Sequence, residues 1–245
     1  MFFRCNLYFL FVFTLLYVSL KASIDNIPNV HVFGDSHSIA CFRDGSRGLS
    51  FELTGNDHIF IYNDFKIPFS IHWIVDKTMH GVGKDGLNTL DIKKYNVLEN
   101  DIVVFVFGEI DVRCHIGRQR DQKKRCLEEI INTLVNNYVA TINENRVFYN
   151  NINCVIMSVL PPTNRGFNHA FPYYGTIEDR VNITKKLNSK LKEACLLNNI
   201  KYLDVYYLYA DSNGSFNKAL GDQSVHVGLN KNYPIKEALA KLIFL

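Results

Sequence analysis

The chain has 245 residues, 47% of them hydrophobic and 21% charged, and its formal net charge is +3. These values are those of a globular protein, exclude an intrinsically disordered chain, and do not indicate nucleic-acid binding. The length suits one substantial hydrophobic core, so we predict a single domain over residues 27–245.

The first 23 residues form a hydrophobic leader, in which an uncharged apolar run from Leu7 to Leu20 is bounded by Arg4 and Lys21. The run is shorter than the roughly 18 residues of a membrane-spanning helix, and its layout is that of a secretory signal peptide. The cleavage pattern is poor, so an uncleaved signal anchor stays open as the alternative. We expect a protein of the secretory pathway, secreted or held to the membrane by this segment alone.

Two sequons, at Asn182 and Asn213, would accept glycans on such a route. The cysteines beyond the leader have an irregular spacing that indicates neither a metal site nor a disulfide framework, and we interpret them as free thiols. They are Cys41, Cys114, Cys126, Cys154 and Cys195.

Beyond the leader, strand-like apolar runs alternate with helix-length amphipathic stretches, which is typical of a parallel sheet covered on both faces. The main strands are predicted at Val30–Phe33, Ser70–Val75, Asp101–Phe107, Cys154–Leu160 and Tyr202–Tyr207, with further strand-like runs at Leu49–Leu53 and His58–Tyr62. Helices are predicted at about Gln119–Asn145, Ile177–Leu197 and Pro234–Ile243. The fold class is therefore α/β, and the ligand crevice lies beyond the carboxyl ends of the strands.

The first crevice loop reads Gly34-Asp35-Ser36-His37-Ser38. A serine there presents its hydroxyl to the crevice and its backbone N–H to a developing oxyanion. Helix capping is the alternative, since Asp and Ser are preferred N-cap residues. His226 follows the last strand, and because its loop opens at the same edge of the sheet, it favours nucleophilic catalysis.

Polar side chains also follow the apolar strand Asp101–Phe107 directly, where they are costly unless they face water or a ligand. The resulting site-loop candidates are Asp35, His37, Glu109, Asp111, Arg113 and His115. A metal-dependent hydrolase that uses His37, Asp35, Asp111 and His115 is a further alternative, but these residues lack a recognised ligand spacing, so no metal site is predicted.

Four segments occur in order along the chain: GDSHS at 34–38, HGVGKDG at 80–86, GEID at 108–111 and DQSVH at 222–226. They resemble the first, second, third and fifth sequence blocks of the SGNH (GDSL-like) hydrolase superfamily. With GEIDVRCH and the later PP…FPYYGT…R stretch, which ends at Arg180, the chain is most similar to a group often found beside carbohydrate-modifying functions. The resemblance implies a three-layer, flavodoxin-like fold with a central parallel sheet of about five strands.

The resemblance also implies a role for individual residues. Ser36 would be the nucleophile, His226 the general base, and Asp222 the residue that orients His226. The oxyanion hole would consist of the Ser36 N–H and an N–H of Gly81 or Gly83. No cofactor is implied.

Two departures from the family pattern stand out. Ile110 replaces an asparagine whose side chain donates to the oxyanion, and losing one such donor costs on the order of 100- to 1,000-fold in rate. Arg113 and His115 are candidates to replace that donor. In the last block the carboxylate stands four residues before the histidine rather than three, with Gln223 in the usual place.

An aromatic segment follows the fourth main strand and comprises Phe167, His169, Phe171, Tyr173 and Tyr174. Such rings stack on sugars, although covering the edge of the core is an equal alternative. We therefore expect a serine esterase or O-acyl (acetyl) transferase that acts on a carbohydrate or other small ester through an acyl-enzyme. The alternative is a catalytically degenerate glycan-binding or scaffold protein, and Ile110 is the evidence for it.

Overall fold

The computed structural model describes residues 28–43, 55–165, 167 and 172–244. The leader, the predicted strand Leu49–Leu53, and two of the predicted aromatic residues, His169 and Phe171, lie outside these residues. Within them, no helix combines the length and the apolar character needed to cross a bilayer.

A six-stranded sheet forms the middle layer. Its strands are β1 (Val30–Gly34), β2 (Gly55–Tyr62), β3 (Phe65–Trp73), β4 (Ile102–Val106), β5 (Asn153–Met157) and β6 (Lys201–Leu203). The strand order is β2-β3-β1-β4-β5-β6. Strands β3, β1, β4, β5 and β6 are parallel, and β2 is an antiparallel edge strand. The predicted α/β fold with about five parallel strands is confirmed.

Helices cover both faces of this sheet. They are α1 (Ser36–Phe42), α2 (Met79–Asp85), α3 (Ile116–Gln122), α4 (Leu127–Arg146), α5 (Ile177–Leu197), α6 (Tyr206–Tyr209) and α7 (Tyr233–Phe244), and a π-helical turn, Asp111–His115, leads into α3. One apolar core lies between the sheet and α2, α4 and α5, and the other lies between the sheet and α1 and α7. This gives the predicted three layers.

Two predicted elements end differently in the structure. The helix predicted at Gln119–Asn145 is divided into α3 and α4, because Lys124 adopts a left-handed φ of 52° that an α-helix cannot continue through. The strand predicted at Tyr202–Tyr207 ends at Leu203, since the chain turns into α6 at Tyr206.

Candidate active site

Ser36 is the first residue of α1 and follows directly from β1. The turn between the two elements is tight: a Cβ on Gly34 would overlap the Val106 carbonyl oxygen of the neighbouring strand. Asp35, and not Ser36, is the N-cap, and its Oδ1 accepts a 2.8 Å hydrogen bond from the His37 N–H. The Ser36 side chain is thereby left to face the carboxyl edge of the sheet.

The structure brings Ser36 and His226 together, although they are 190 positions apart in the chain. Ser36 Oγ lies 2.7 Å from His226 Nε2, which is a hydrogen-bond distance. His226 is buried, and its loop is closed by a bridge between Gly221 and Val227. A serine hydroxyl that donates to an imidazole is the arrangement in which the imidazole can take its proton.

Asp222 approaches the other ring nitrogen of His226 in two ways. Its Oδ2 lies 3.4 Å from Nδ1. Ser224 Oγ lies 3.1 Å from the same nitrogen and donates a 2.7 Å hydrogen bond to Asp222 Oδ1. The residue after Asp222 is the exposed Gln223, whose left-handed φ of 73° takes up the extra position in a turn. Asp222, rather than Gln223, therefore occupies the orienting position.

The charges around His226 favour a neutral imidazole and an ionised Asp222. Burial lowers the pKa of His226, and the neighbouring His37 lowers it further, against the opposing effect of Asp222. Burial alone would raise the pKa of Asp222, but hydrogen bonds from His226 and Ser224 hold it below its ordinary value. This is the protonation state that a general base requires before reaction.

His37 lies on the buried side of Ser36. Its Nδ1 is 3.1 Å from Asp35 Oδ1, and its Nε2 is 3.0 Å from the carbonyl oxygen of Val225. Its ring centroid lies 4.8 Å from that of His226. The structure thus groups two of the predicted site-loop candidates, Asp35 and His37, around the Ser36–His226 pair.

The contacts of Asp111 and His115 are with the start of α2 and with each other. Asp111 is fully buried, and its carboxylate accepts hydrogen bonds of 2.8 and 3.2 Å from the backbone N–H groups of Met79 and His80, where α2 begins. His115 Nδ1 lies 3.7 Å from Asp111. These contacts give Asp111 the role of holding α2 against the loop after β4.

Arg113 is buried and contacts the described end of the aromatic segment, at residues 172–174. Its Nε donates a 2.8 Å hydrogen bond to Glu109, and its Nη1 donates to the Pro172 carbonyl. The Tyr174 N–H in turn donates to the Arg113 carbonyl, at 2.8 Å. The described contacts of Arg113 and His115 therefore do not support either residue as a replacement for the missing asparagine.

In the structure, the two predicted glycine donors, Gly81 and Gly83, are engaged in helix contacts. Both lie within α2, where the Gly81 N–H donates to Thr78 Oγ1 at 3.0 Å. Gly83 packs against α4, and a Cβ on it would come within 2.8 Å of the Tyr138 backbone nitrogen. Of the predicted donors, the N–H of Ser36 keeps its expected position, in the first turn of α1, where helix N–H groups lack intrahelical partners.

The described part of the aromatic segment packs around Arg180, the arginine that ends the family-like FPYYGT…R stretch. Its guanidinium lies 5.0 Å from the Phe167 ring and 5.1 Å from the Tyr173 ring, and these two rings stack with centroids 4.3 Å apart. Tyr173 is exposed, whereas Arg180 is fully buried and donates to the Gly175 carbonyl at 2.8 Å. The sequence signal for it is the arginine that follows the aromatic run, since an arginine next to several aromatic rings can pack its cation against them.

A cavity of about 540 Å³ lies away from this site. It is at the amino edge of the sheet, where Arg146, Asn153 and Lys201 contribute to its walls. In the described ranges, no cluster of three or more His, Cys, Asp or Glu side chains is arranged to hold a metal ion.

Solved structures of similar fold include a GDSL-like lipase from Bacteroides thetaiotaomicron, with 16% sequence identity, a TM-score of 0.54, and coverage of 92% of this chain and 93% of the lipase. An acetyl-xylooligosaccharide esterase from Geobacillus stearothermophilus has 16% identity and a TM-score of 0.50, over 89% of this chain and 96% of its own. An α/β hydrolase from the metagenome of Lake Arreo has 13% identity and a TM-score of 0.50, over 88% of this chain and 94% of its own.

No protein-family model and no curated protein matches the chain. At these identities the likeness concerns the fold: the chain has the SGNH hydrolase fold of GDSL-like lipases and acylhydrolases. The predicted resemblance is confirmed at that level.

Proposed function

We propose that the protein is a serine ester hydrolase that works through an acyl-enzyme. The observation that carries the proposal is the 2.7 Å contact between Ser36 Oγ and His226 Nε2, with Asp222 and Ser224 on the opposite ring nitrogen. The fold supports it by analogy, since similar folds belong to lipases and esterases.

In this mechanism Ser36 Oγ attacks the ester carbonyl carbon while His226 Nε2 takes the hydroxyl proton. The carbonyl oxygen becomes an oxyanion, which the Ser36 N–H faces. The carbon–oxygen bond to the leaving group then breaks, and His226 returns its proton to the departing alcohol. A water molecule or a sugar hydroxyl attacks the acyl-enzyme, again losing its proton to His226, and Ser36 is released with its proton restored.

For the substrate we propose an acetyl ester on a carbohydrate. Tyr173 is half exposed beside Arg180, and an aromatic ring suits stacking on a sugar ring. One protein of similar fold is an acetyl-xylooligosaccharide esterase, which supports the same class. Whether water or a sugar takes the acyl group decides between hydrolase and transferase, and product analysis with an acetylated oligosaccharide would distinguish the two.

The proposed location is the secretory pathway or the cell exterior, as expected from the leader. The sequon at Asn213 lies in an exposed turn, which suits glycan attachment. The sequon at Asn182 is less suited, because Thr184 is fully buried in α5. Asn213→Gln should therefore remove most of any glycan, which a mobility shift after deglycosylation would measure.

The test of the proposed activity is labelling of the full chain with a fluorophosphonate serine probe. Wild type should be labelled, whereas Ser36→Ala and His226→Ala should lose labelling by at least on the order of 1,000-fold, because nucleophile and base act as one unit. Ser189→Ala, at an exposed serine on α5, is the matched control and should label like wild type. Full labelling of Ser36→Ala would overturn the proposal.

A glycan-binding protein without catalysis is the second candidate, and Ile110 favours it. Ile110 directly precedes the π-helical turn, and its side chain carries no donor where the family has an asparagine. If folded wild type is not labelled but binds an acetylated oligosaccharide in calorimetry, and Tyr173→Ala weakens that binding, this candidate replaces the esterase.

A further inference from the structure

His37 connects the two loops that carry the nucleophile and the base. It follows Ser36 directly in α1, and its Nε2 lies 3.0 Å from the carbonyl oxygen of Val225, the residue directly before His226. Its side chain is buried, with 4% of the residue exposed. A single side chain therefore spans the gap between positions 188 apart in the chain.

The partners of His37 determine how many protons its ring carries. A carbonyl oxygen such as that of Val225 can only accept a hydrogen bond, and so can an ionised carboxylate. Asp35 Oδ1, which lies 3.1 Å from Nδ1, already accepts from the His37 backbone N–H at 2.8 Å. Both ring nitrogens of His37 must therefore donate, and the ring is an imidazolium.

We propose that His37 is a positioning residue: a buried imidazolium that clamps the His226 loop through the Val225 carbonyl and places a positive charge beside the His226 ring. The proposal rests on the proposed function for its catalytic meaning, because His37 acts on the reaction only through His226. The geometry that carries it is the pair of acceptor contacts and the 4.8 Å between the two ring centroids.

The electrostatic surroundings of both rings agree with this role. Burial alone would lower the pKa of His37, but Asp35, with smaller contributions from Glu109 and the Val225 carbonyl, raises it to about 9. The groups that face His226 are Asp222 and Glu109, which raise its pKa, and His37, which lowers it together with burial. A clamp that stays charged at neutral pH thus helps to keep the base uncharged.

The experiment is a titration of the histidine rings in the full chain by proton–nitrogen NMR, with His37→Gln to assign the resonances. In wild type, both His37 ring nitrogens should be protonated at pH 7 and should titrate near 9. His226 should titrate below 6.5 in wild type, and its midpoint should rise in His37→Gln. His58→Gln, which removes a buried histidine of the edge strand β2, is the matched control and should leave the His226 midpoint unchanged.

The probe reaction adds a readout that loss of structure alone would not move. In His37→Gln the acid limb of the labelling rate should move to higher pH together with the His226 midpoint. The labelling rate at pH 7 should fall on the order of tenfold to 100-fold, because the His226 imidazole is no longer held at hydrogen-bond distance from the Ser36 hydroxyl. Should His37→Gln not fold, Asp35→Asn tests the same charge: the cap oxygen stays, and the His37 midpoint should fall toward 6.5.

Two results would overturn the proposal: a His37 ring with one protonated nitrogen at pH 7, or an unchanged His226 midpoint in folded His37→Gln. The outcome is independent of the proposed function. If wild type is not labelled at all, the esterase proposal fails, whereas the ring titrations still decide whether His37 is the charged clamp.

Discussion

Ser224 illustrates what a single residue adds at this site. It stands between Asp222 and His226 in sequence and in space, and its hydroxyl accepts from Nδ1 while donating to the carboxylate. The segment DQSVH predicts a carboxylate near the ring but not this hydroxyl. Ser224 reaches the ring only because of the turn at Gln223, and few non-glycine residues adopt that backbone conformation. The candidate nucleophile and base are identifiable from sequence, whereas the way in which the acid reaches the base is not.

We predict that Ser224→Ala reduces probe labelling by on the order of tenfold, since Asp222 still lies 3.4 Å from the ring without the hydroxyl. Asp222→Asn should cost far more, on the order of 10⁴-fold, because the ring loses its carboxylate. Labelling rates of the two variants at pH 7.5 check this order. Equal losses would mean that the carboxylate acts wholly through Ser224.

At the scale of elements, position in the sheet decides what can be predicted. Strands β1 and β4 are buried over their whole length, and β4 is accordingly an unbroken apolar run, whereas the run of β1 is interrupted by the buried His31. The β2–β3 hairpin turns at Asn63 and Asp64, both with positive φ but neither a glycine, so the strong turn signal is missing and the start of β3 was placed too late. The helical surroundings of Gly81 and Gly83 were not predicted for another reason: the position of α2 depends on Asp111, a tertiary contact that no local pattern encodes.

Asp111→Ala should lower the free energy of unfolding by about 2 kcal/mol, because two backbone N–H groups at the start of α2 lose their acceptor. Urea denaturation monitored by circular dichroism measures the change. His115→Ala, at a partly exposed side chain of the same turn, is the control and should change stability by less than about 0.5 kcal/mol. A loss in His115→Ala equal to that in Asp111→Ala would assign the effect to the turn itself.

At the scale of the whole molecule, three histidines whose pKa values are shifted in opposite directions should set the pH dependence of stability. His31 and His72 lie in adjacent strands with Nδ1 and Nε2 3.0 Å apart. Burial, aided by His31, lowers the pKa of His72 to about 3, and burial also lowers the pKa of His31. His37 has its pKa raised to about 9. The folded state therefore favours the neutral form of His31 and His72 and the charged form of His37.

The sign of each contribution follows from these directions. The stability that comes from neutral His31 and His72 is present above the ordinary pKa of 6.5 and is lost as the pH falls from 6.5 toward 3. The stability that comes from charged His37 is present below 6.5 and is lost as the pH rises through 9. We therefore expect the urea midpoint to peak near pH 6.5. His72→Gln should flatten the acid side and His37→Gln the alkaline side, and a midpoint that does not depend on pH would contradict both.

The contact between Ser36 and His226 also predicts when the site forms during folding. It joins residues 190 positions apart, and β1, which presents Ser36, is completed by β3 on one side and β4 on the other. Contacts between residues so distant in sequence form late in folding, because the entropy lost in closing the long loop must first be offset by contacts elsewhere in the fold. After dilution from urea, probe labelling should return more slowly than far-ultraviolet circular dichroism, so the reactive serine would mark the moment at which folding is complete. Simultaneous recovery would instead mean that sheet and site form in one cooperative step.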